Sequence, residues 1–199
     1  MRAAPLPSDP GEPRVQDAAS LLSMTPAASP PAYLLEWLRS QGASEMPHSG
    51  RTLLDHLANT YCILASSEQP ASVCAAGLFH SVYGTNAFRR VTVAASRRDE
   101  VRALIGEEAE RLAWLFGTIE RPRALIEGLR GKAIRSADVQ EPVLDRAWIR
   151  KLAAIECANL LEQGELWRTG ALVVFARRIG LITDFGFSSV AHEWSRTWA

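Results

Sequence analysis

The chain has 199 residues, with 22 Lys plus Arg against 22 Asp plus Glu and 47% hydrophobic residues. This is the composition of a globular chain with one substantial core and room for one extra segment, and it argues against two large domains. Zero formal net charge removes the main argument for a nucleic-acid or anionic-membrane surface, so neither partner is expected.

Seven of the eleven prolines lie within residues 1–31, a stretch without aromatic residues. It reads as a disordered or loosely packed arm, followed by a helical domain over 32–199. Proline breaks the N-terminus before an apolar run develops, so it does not read as a secretion signal, and no stretch approaches the ~18 apolar residues of a membrane span. Cys62, Cys74 and Cys157 form neither a CxxC pair nor a disulfide framework, which makes a reducing cytoplasm the expected compartment.

From Tyr33 onward apolar residues recur at helical spacing. Leu34, Leu35 and Leu38 predict a first helix ending near Gly42. Residues 52–66 place Leu53, His56, Leu57, Thr60 and Leu64 on one stripe, so His56 faces the core. A helix opened by Pro70 is predicted over 70–83, with Val73, Gly77 and His80 sharing a face, and Gly84, Thr85 and Asn86 signal a turn. Ser96 and Asp99 resemble a capping box for a helix that Gly106 ends or bends. Ala109, Leu112, Ala113 and Phe116 continue the pattern, and a further helix fits Arg123 to Leu129. The longest helix is predicted from Pro142 to Gln163, with Leu144, Trp148, Leu152, Ile155, Asn159 and Glu162 on one stripe. Two more fit 167–179 and 188–198. No alternating run is long enough to build a sheet. The expected fold class is all-α, a single domain of about seven to nine helices.

His48, His56 and His80 fall in a 33-residue window. Inward histidines on consecutive helices can face each other, and imidazole suits zinc, iron or manganese. Core histidines satisfied by a carbonyl or an acid are the alternative. If the two rings share one metal with bonds near 2.1 Å, nitrogen separations of roughly 3–5 Å are expected.

Ser49-Gly50-Arg51-Thr52-Leu53-Leu54-Asp55-His56, followed 24 residues later by Gly77-Leu78-Phe79-His80-Ser81-Val82, resembles the HD-domain superfamily, and most closely the hydrolase domain of alarmone (ppGpp) synthetase/hydrolases. The runs Val101–Ala113 and Leu152–Leu160 resemble that family's acid-rich and Leu-Ala-Asp-Arg-Leu-His-Asn helices. The resemblance covers about residues 45–163 and implies an HD-like helical fold with a divalent metal (Mn, Fe or Zn) on His56 and His80. The family's carboxylates are replaced: Ser81 follows the second histidine, Gly84 and Thr85 stand at the acidic pair, and Ala154 stands near the later aspartate. These substitutions together also look like an uncharacterised HD-like family with a degenerate active site.

His48, in the turn before the His56 helix, can supply a third nitrogen, with an exposed histidine as the equal alternative. Glu156 can complete a His-His-carboxylate set or serve as a buried hydrogen-bonding group. Asp55 projects about 100° from His56, so it caps the helix or pairs with Arg51. Ser81, Tyr83, Thr85, Arg51, Arg89 and Asn159 are the candidate ligand-binding residues. Arg89, Arg90, Arg97 and Arg98 form a basic cluster suited to an anion or to solvent. Two readings stay open: a metal-dependent hydrolase or oxygenase acting on a small anionic metabolite, and a non-catalytic ligand-binding or interaction domain descended from an HD hydrolase. Trp167, Trp194 and Trp198 suggest a third, partner-binding use, with burial in the helical core as the favoured alternative, and self-association is left open.

Overall fold

The structure is a computed structural model and describes residues 29–136 and 143–182. The N-terminal arm up to residue 28, the helix expected over 188–198, and His192, Trp194 and Trp198 lie outside the described residues.

Among the described residues the fold is all-α, with eight α-helices. They are α1 (Ala32–Ser40), α2 (Leu53–Ser66), α3 (Ala71–Phe79), α4 (Arg98–Ile105), α5 (Glu107–Thr118), α6 (Arg123–Leu129), α7 (Arg146–Glu162) and α8 (Gly170–Arg178). The extended structure consists of two antiparallel ladders, Pro47–His48 (β1) with Arg51–Thr52 (β2) and Ile134–Arg135 (β3) with Val143–Leu144 (β4). No helix among them is long and apolar enough to cross a membrane.

Helix α3 is the centre of the bundle and packs against α2, α5 and α7. It is apolar nearly all round, with Val73, Cys74, Ala76, Gly77, Leu78 and Phe79 buried, as a central helix must be. One core cluster joins α1, α2 and α3 to Val82, Val93 and Val101, and the other joins α3 and α5 through α8. Trp167 packs on this second cluster from a partly buried position.

Several boundaries differ from the periodic reading. Helix α3 stops at Phe79 because the His80 ring takes the Gly77 carbonyl (2.7 Å) and Val82 bonds back to Phe79, tightening the chain into a turn. No side-chain cap forms at the start of α4; Asp99 instead accepts from Arg102 at 2.6 Å, and a 3₁₀ turn over Ala95–Arg97 leads in. Helix α7 starts at Arg146, capped by Asp145 on the Trp148 N–H (2.9 Å), while Val143 and Leu144 pair with β3. The segment expected over 167–179 is split into a 3₁₀ turn, Leu166–Arg168, and α8. Gly106, with φ 87°, separates α4 from α5.

Gly117 on α5 is where the loop after α3 approaches most closely: a Cβ there would lie 2.7 Å from the Gly84 carbonyl oxygen. Backbone cannot swing aside as a side chain can. Gly117→Ala is therefore expected to destabilise the fold by about 1–3 kcal/mol. Urea titration measures this, and a midpoint equal to that of the unmodified chain would refute it.

Candidate functional site

The β1–β2 hairpin turns through Ser49 (φ 47°) and Gly50 (φ 82°), both with the positive φ that two-residue hairpin turns require. It delivers His48 and Arg51 to the mouth of the bundle. Thr52 then caps α2: its side chain accepts from the Asp55 N–H, and Asp55 reaches back to Thr52. Asp55 is thus a capping residue rather than the partner of Arg51.

One helical turn later His56 is fully buried. Its Nδ1 lies 2.6 Å from Glu162 Oε2 at the end of α7, so Nδ1–H donates to the carboxylate. The other Glu162 oxygen accepts from Arg51 (2.5 Å) and Asn59 (3.2 Å), and the Glu162 side chain is only 3% exposed. Burial pushes the Glu162 carboxyl up, but the His56 hydrogen bond and charge, with Asn59 and Arg51, outweigh this and hold it below its ordinary range.

His80 approaches from α3. Its Nδ1–H donates to the Gly77 carbonyl, which leaves Nε2 as an acceptor, and that atom lies 3.2 Å from His56 Nε2. When both rings are neutral, each has its proton on Nδ1, and two lone pairs face each other. That arrangement is repulsive, and a positive charge between the nitrogens, a proton or a metal cation, relieves it. Burial, then the neighbouring His56 charge, keeps His80 well below the usual histidine range despite the opposing Gly77 bond. The separation lies within the range expected for two nitrogens on one metal. A histidine whose second nitrogen is held by a carboxylate or carbonyl is the usual form of a metal ligand.

The His48 ring stands 4.2 Å from that of His56, centre to centre, and edge-on to Phe88. Both its nitrogens are covered and lack a hydrogen-bond partner. Burial, then His56, lowers its pKa to about 4. Among the described residues, however, no group of three or more His, Cys, Asp or Glu is arranged to hold a metal. Glu156 is already engaged: its Oε2 accepts from Arg121 (2.5 Å) and Asn159 (3.2 Å).

Arg121 is the second anchor of the site. Its guanidinium lies 3.6 Å over the Phe116 ring, its Nε–H donates to the Phe116 carbonyl, and its side chain is 4% exposed. Asn86 donates to the Arg121 carbonyl at 3.1 Å. Together these groups shape a cavity of about 450 Å³ lined by His48, His80, Ser81, Thr85, Asn86, Arg90, Arg121, Glu156, Asn159 and Gln163.

A family model described as Domain of unknown function (DUF6817) matches residues 37–121. The matched stretch is under half of the chain; it holds all three site histidines and Arg121, and it stops before α7, which supplies Glu156 and Glu162. No curated protein and no solved structure matches.

Ser81, Thr85 and Asn159 line the histidine cavity; Arg51 does not line it and bonds instead to Glu162, the carboxylate behind His56. Tyr83 and Arg89 border a cleft with Gly117 and Glu120 that adjoins the histidine cavity through Thr85 and Asn86. The Tyr83 hydroxyl donates to Glu110. The expected basic cluster is dispersed: Arg97 pairs with Glu100, and Arg98 makes two bonds to the buried Glu110 (2.6 and 3.0 Å). Glu110 is therefore a buried ion-pair partner. Sequence reasoning missed Glu162 and Arg121 as site residues. For Glu162 a signal existed, a carboxylate on the core-facing stripe of α7; Arg121 sits outside any periodic segment.

The depressed histidines set the acid limit of the fold. His48, and His80 in the same direction, are neutral when folded and must be charged on acidification, whereas the unfolded chain takes up protons from about pH 6.5. The His48 contribution is therefore complete above about pH 6.5 and is lost as pH falls through about 4, and His80 acts in the same direction. Glu162, held low, acts with the same sign at the acid end of that range. Urea midpoints should be flat above about pH 6.5 and fall below it; a midpoint that rises on acidification would contradict this account.

Proposed function

We propose that this is an HD-like helical domain whose altered site holds one divalent metal (Mn, Fe or Zn) and acts on a small anionic metabolite, by hydrolase or oxygenase chemistry. The observation that carries the reading is the pair of Nε2 atoms at 3.2 Å, each with its Nδ1–H already committed. His56 and His80 are the ligands, and His48, with its unpartnered nitrogens, is the candidate third. A bound metal would supply Lewis acidity or an activated water. The chain's own groups do the rest: Ser81, Thr85, Asn86, Asn159 and Gln163 offer polar contacts, and Arg90 with Arg121 provides cationic ones.

A second reading is favoured by the same distance. An Nε2–H···Nε2 bond between the two rings, with a proton in place of the metal, gives a metal-free ligand-binding domain. Elemental analysis of protein purified without a polyhistidine tag separates the two. Near-stoichiometric metal that is lost in His80→Ala supports the first; substoichiometric manganese, iron and zinc after reconstitution would leave only the second.

Guanosine pyrophosphates are not the expected substrates. Ser81, Gly84 and Thr85 stand where the resembled hydrolases carry carboxylates, and Glu156 is occupied by Arg121. General-base assistance alone is typically worth about 10²- to 10⁴-fold. An assay with manganese should show no useful turnover, and turnover abolished by His80→Ala would overturn this expectation.

A further inference from the structure

A further cleft, of about 280 Å³, opens between α6, α7 and α8 and shares no described lining residue with the histidine cavity. Its apolar surface comes from Ile126, Leu129, Val174 and Phe175. Val174 is 50% exposed, one of the few large apolar side chains left in solvent among the described residues. Four arginines, Arg130, Arg146, Arg150 and Arg178, surround this floor, and no Asp or Glu is among the described lining residues. None of the four forms an ion pair with a described residue, and the Arg150 guanidinium lies 6.0 Å from the Phe175 ring centre.

Ion pairs occur widely elsewhere on this chain: Arg51, Arg97, Arg98, Arg102, Arg121, Arg123 and Arg168 all have carboxylate partners. Four like charges around one apolar cleft repel each other, and an anion relieves that repulsion. Guanidinium forks match phosphate oxygens bidentately, whereas the floor accepts only an apolar body. A cleft of this size lies near the lower limit of small-molecule sites and suits a ligand that buries its ring and leaves its charged end among the exposed arginines.

We propose that the α6–α7–α8 cleft is a binding site for a small phosphate monoester with a flat apolar body. This assignment does not depend on the metal reading of the histidine cavity.

Isothermal titration with 1-naphthyl phosphate, 1-naphthol and inorganic phosphate tests it. The phosphate ester should bind at least about tenfold more tightly than either half-molecule, and its affinity should fall as salt is raised. Arg150→Ala/Arg178→Ala should weaken binding about tenfold or more, with unchanged melting because both side chains are exposed, and Val174→Asp should weaken it through the floor. Absence of saturable binding, equal affinity in the double variant, or loss caused instead by Arg90→Ala in the other cavity would each overturn the proposal.

Discussion

Arg121→Met should destabilise the fold by about 3–5 kcal/mol, the largest effect expected of a single substitution in this chain. The Arg121 and Glu156 side chains are 4% and 2% exposed, and the pair closes at 2.5 Å between the α5–α6 junction and α7. Removing the cation leaves a carboxylate in a site that water reaches poorly, with only the Asn159 amide to meet it. It also removes the donor to the Phe116 carbonyl and the guanidinium packed on the Phe116 ring. Glu156→Gln should cost less, since an amide can still accept from Arg121. Arg121→Met/Glu156→Met should recover most of the loss, because the expense lies in the unpaired charge and not in the absence of the pair. Urea unfolding of the three variants at neutral pH gives the comparison. Equal losses for Arg121→Met and the double variant would show that packing dominates.

On the metal reading proposed above, Glu162→Gln is expected to weaken metal binding by about 10- to 100-fold, the usual effect of losing a carboxylate behind a ligating histidine. Its Oε2 fixes the His56 proton on Nδ1 and thereby turns the Nε2 lone pair toward His80. Glutamine keeps the shape and can accept the same proton, but without the charge it polarises the ring less and can flip to present its NH₂. Glu162→Ala should lose more. Arg51→Ala should fall between the unmodified protein and Glu162→Gln, because Arg51 holds the carboxylate without touching the ring. Cobalt(II) absorption bands report affinity and ligand field without any assay of turnover. Unchanged cobalt affinity in Glu162→Gln would remove the orienting role.

Helix content and the inward placement of two histidines followed from spacing alone. Leu53, His56, Leu57, Thr60 and Leu64 share a stripe because a helix repeats every 3.6 residues, and all five are buried. The α6 limits, Arg123–Leu129, coincide with the periodic reading, since local propensity and burial agree there. Where they did not agree, tertiary contacts prevailed. Leu144 fits the stripe of α7, yet a ladder to Ile134 draws it out and Asp145 starts the helix instead. Ser96 and Asp99 have the spacing of a cap, but Asp99 has an arginine one turn away on its own helix.

The chemistry of the site was legible only in part. Periodicity says which way a side chain points, not which distant group it meets. His56 and Glu162 are 106 residues apart and Arg121 and Glu156 are 35 apart, so each pairing depends on how α7 lies against α2 and α5. Hence the sequence by itself determined that His56 and His80 are turned inward, while the fold alone decided which acid each basic group received. Glu162 went to a histidine and left its Nε2 open, and Glu156, nearer in appearance to a ligand, was spent on an arginine because a buried guanidinium requires a carboxylate within reach.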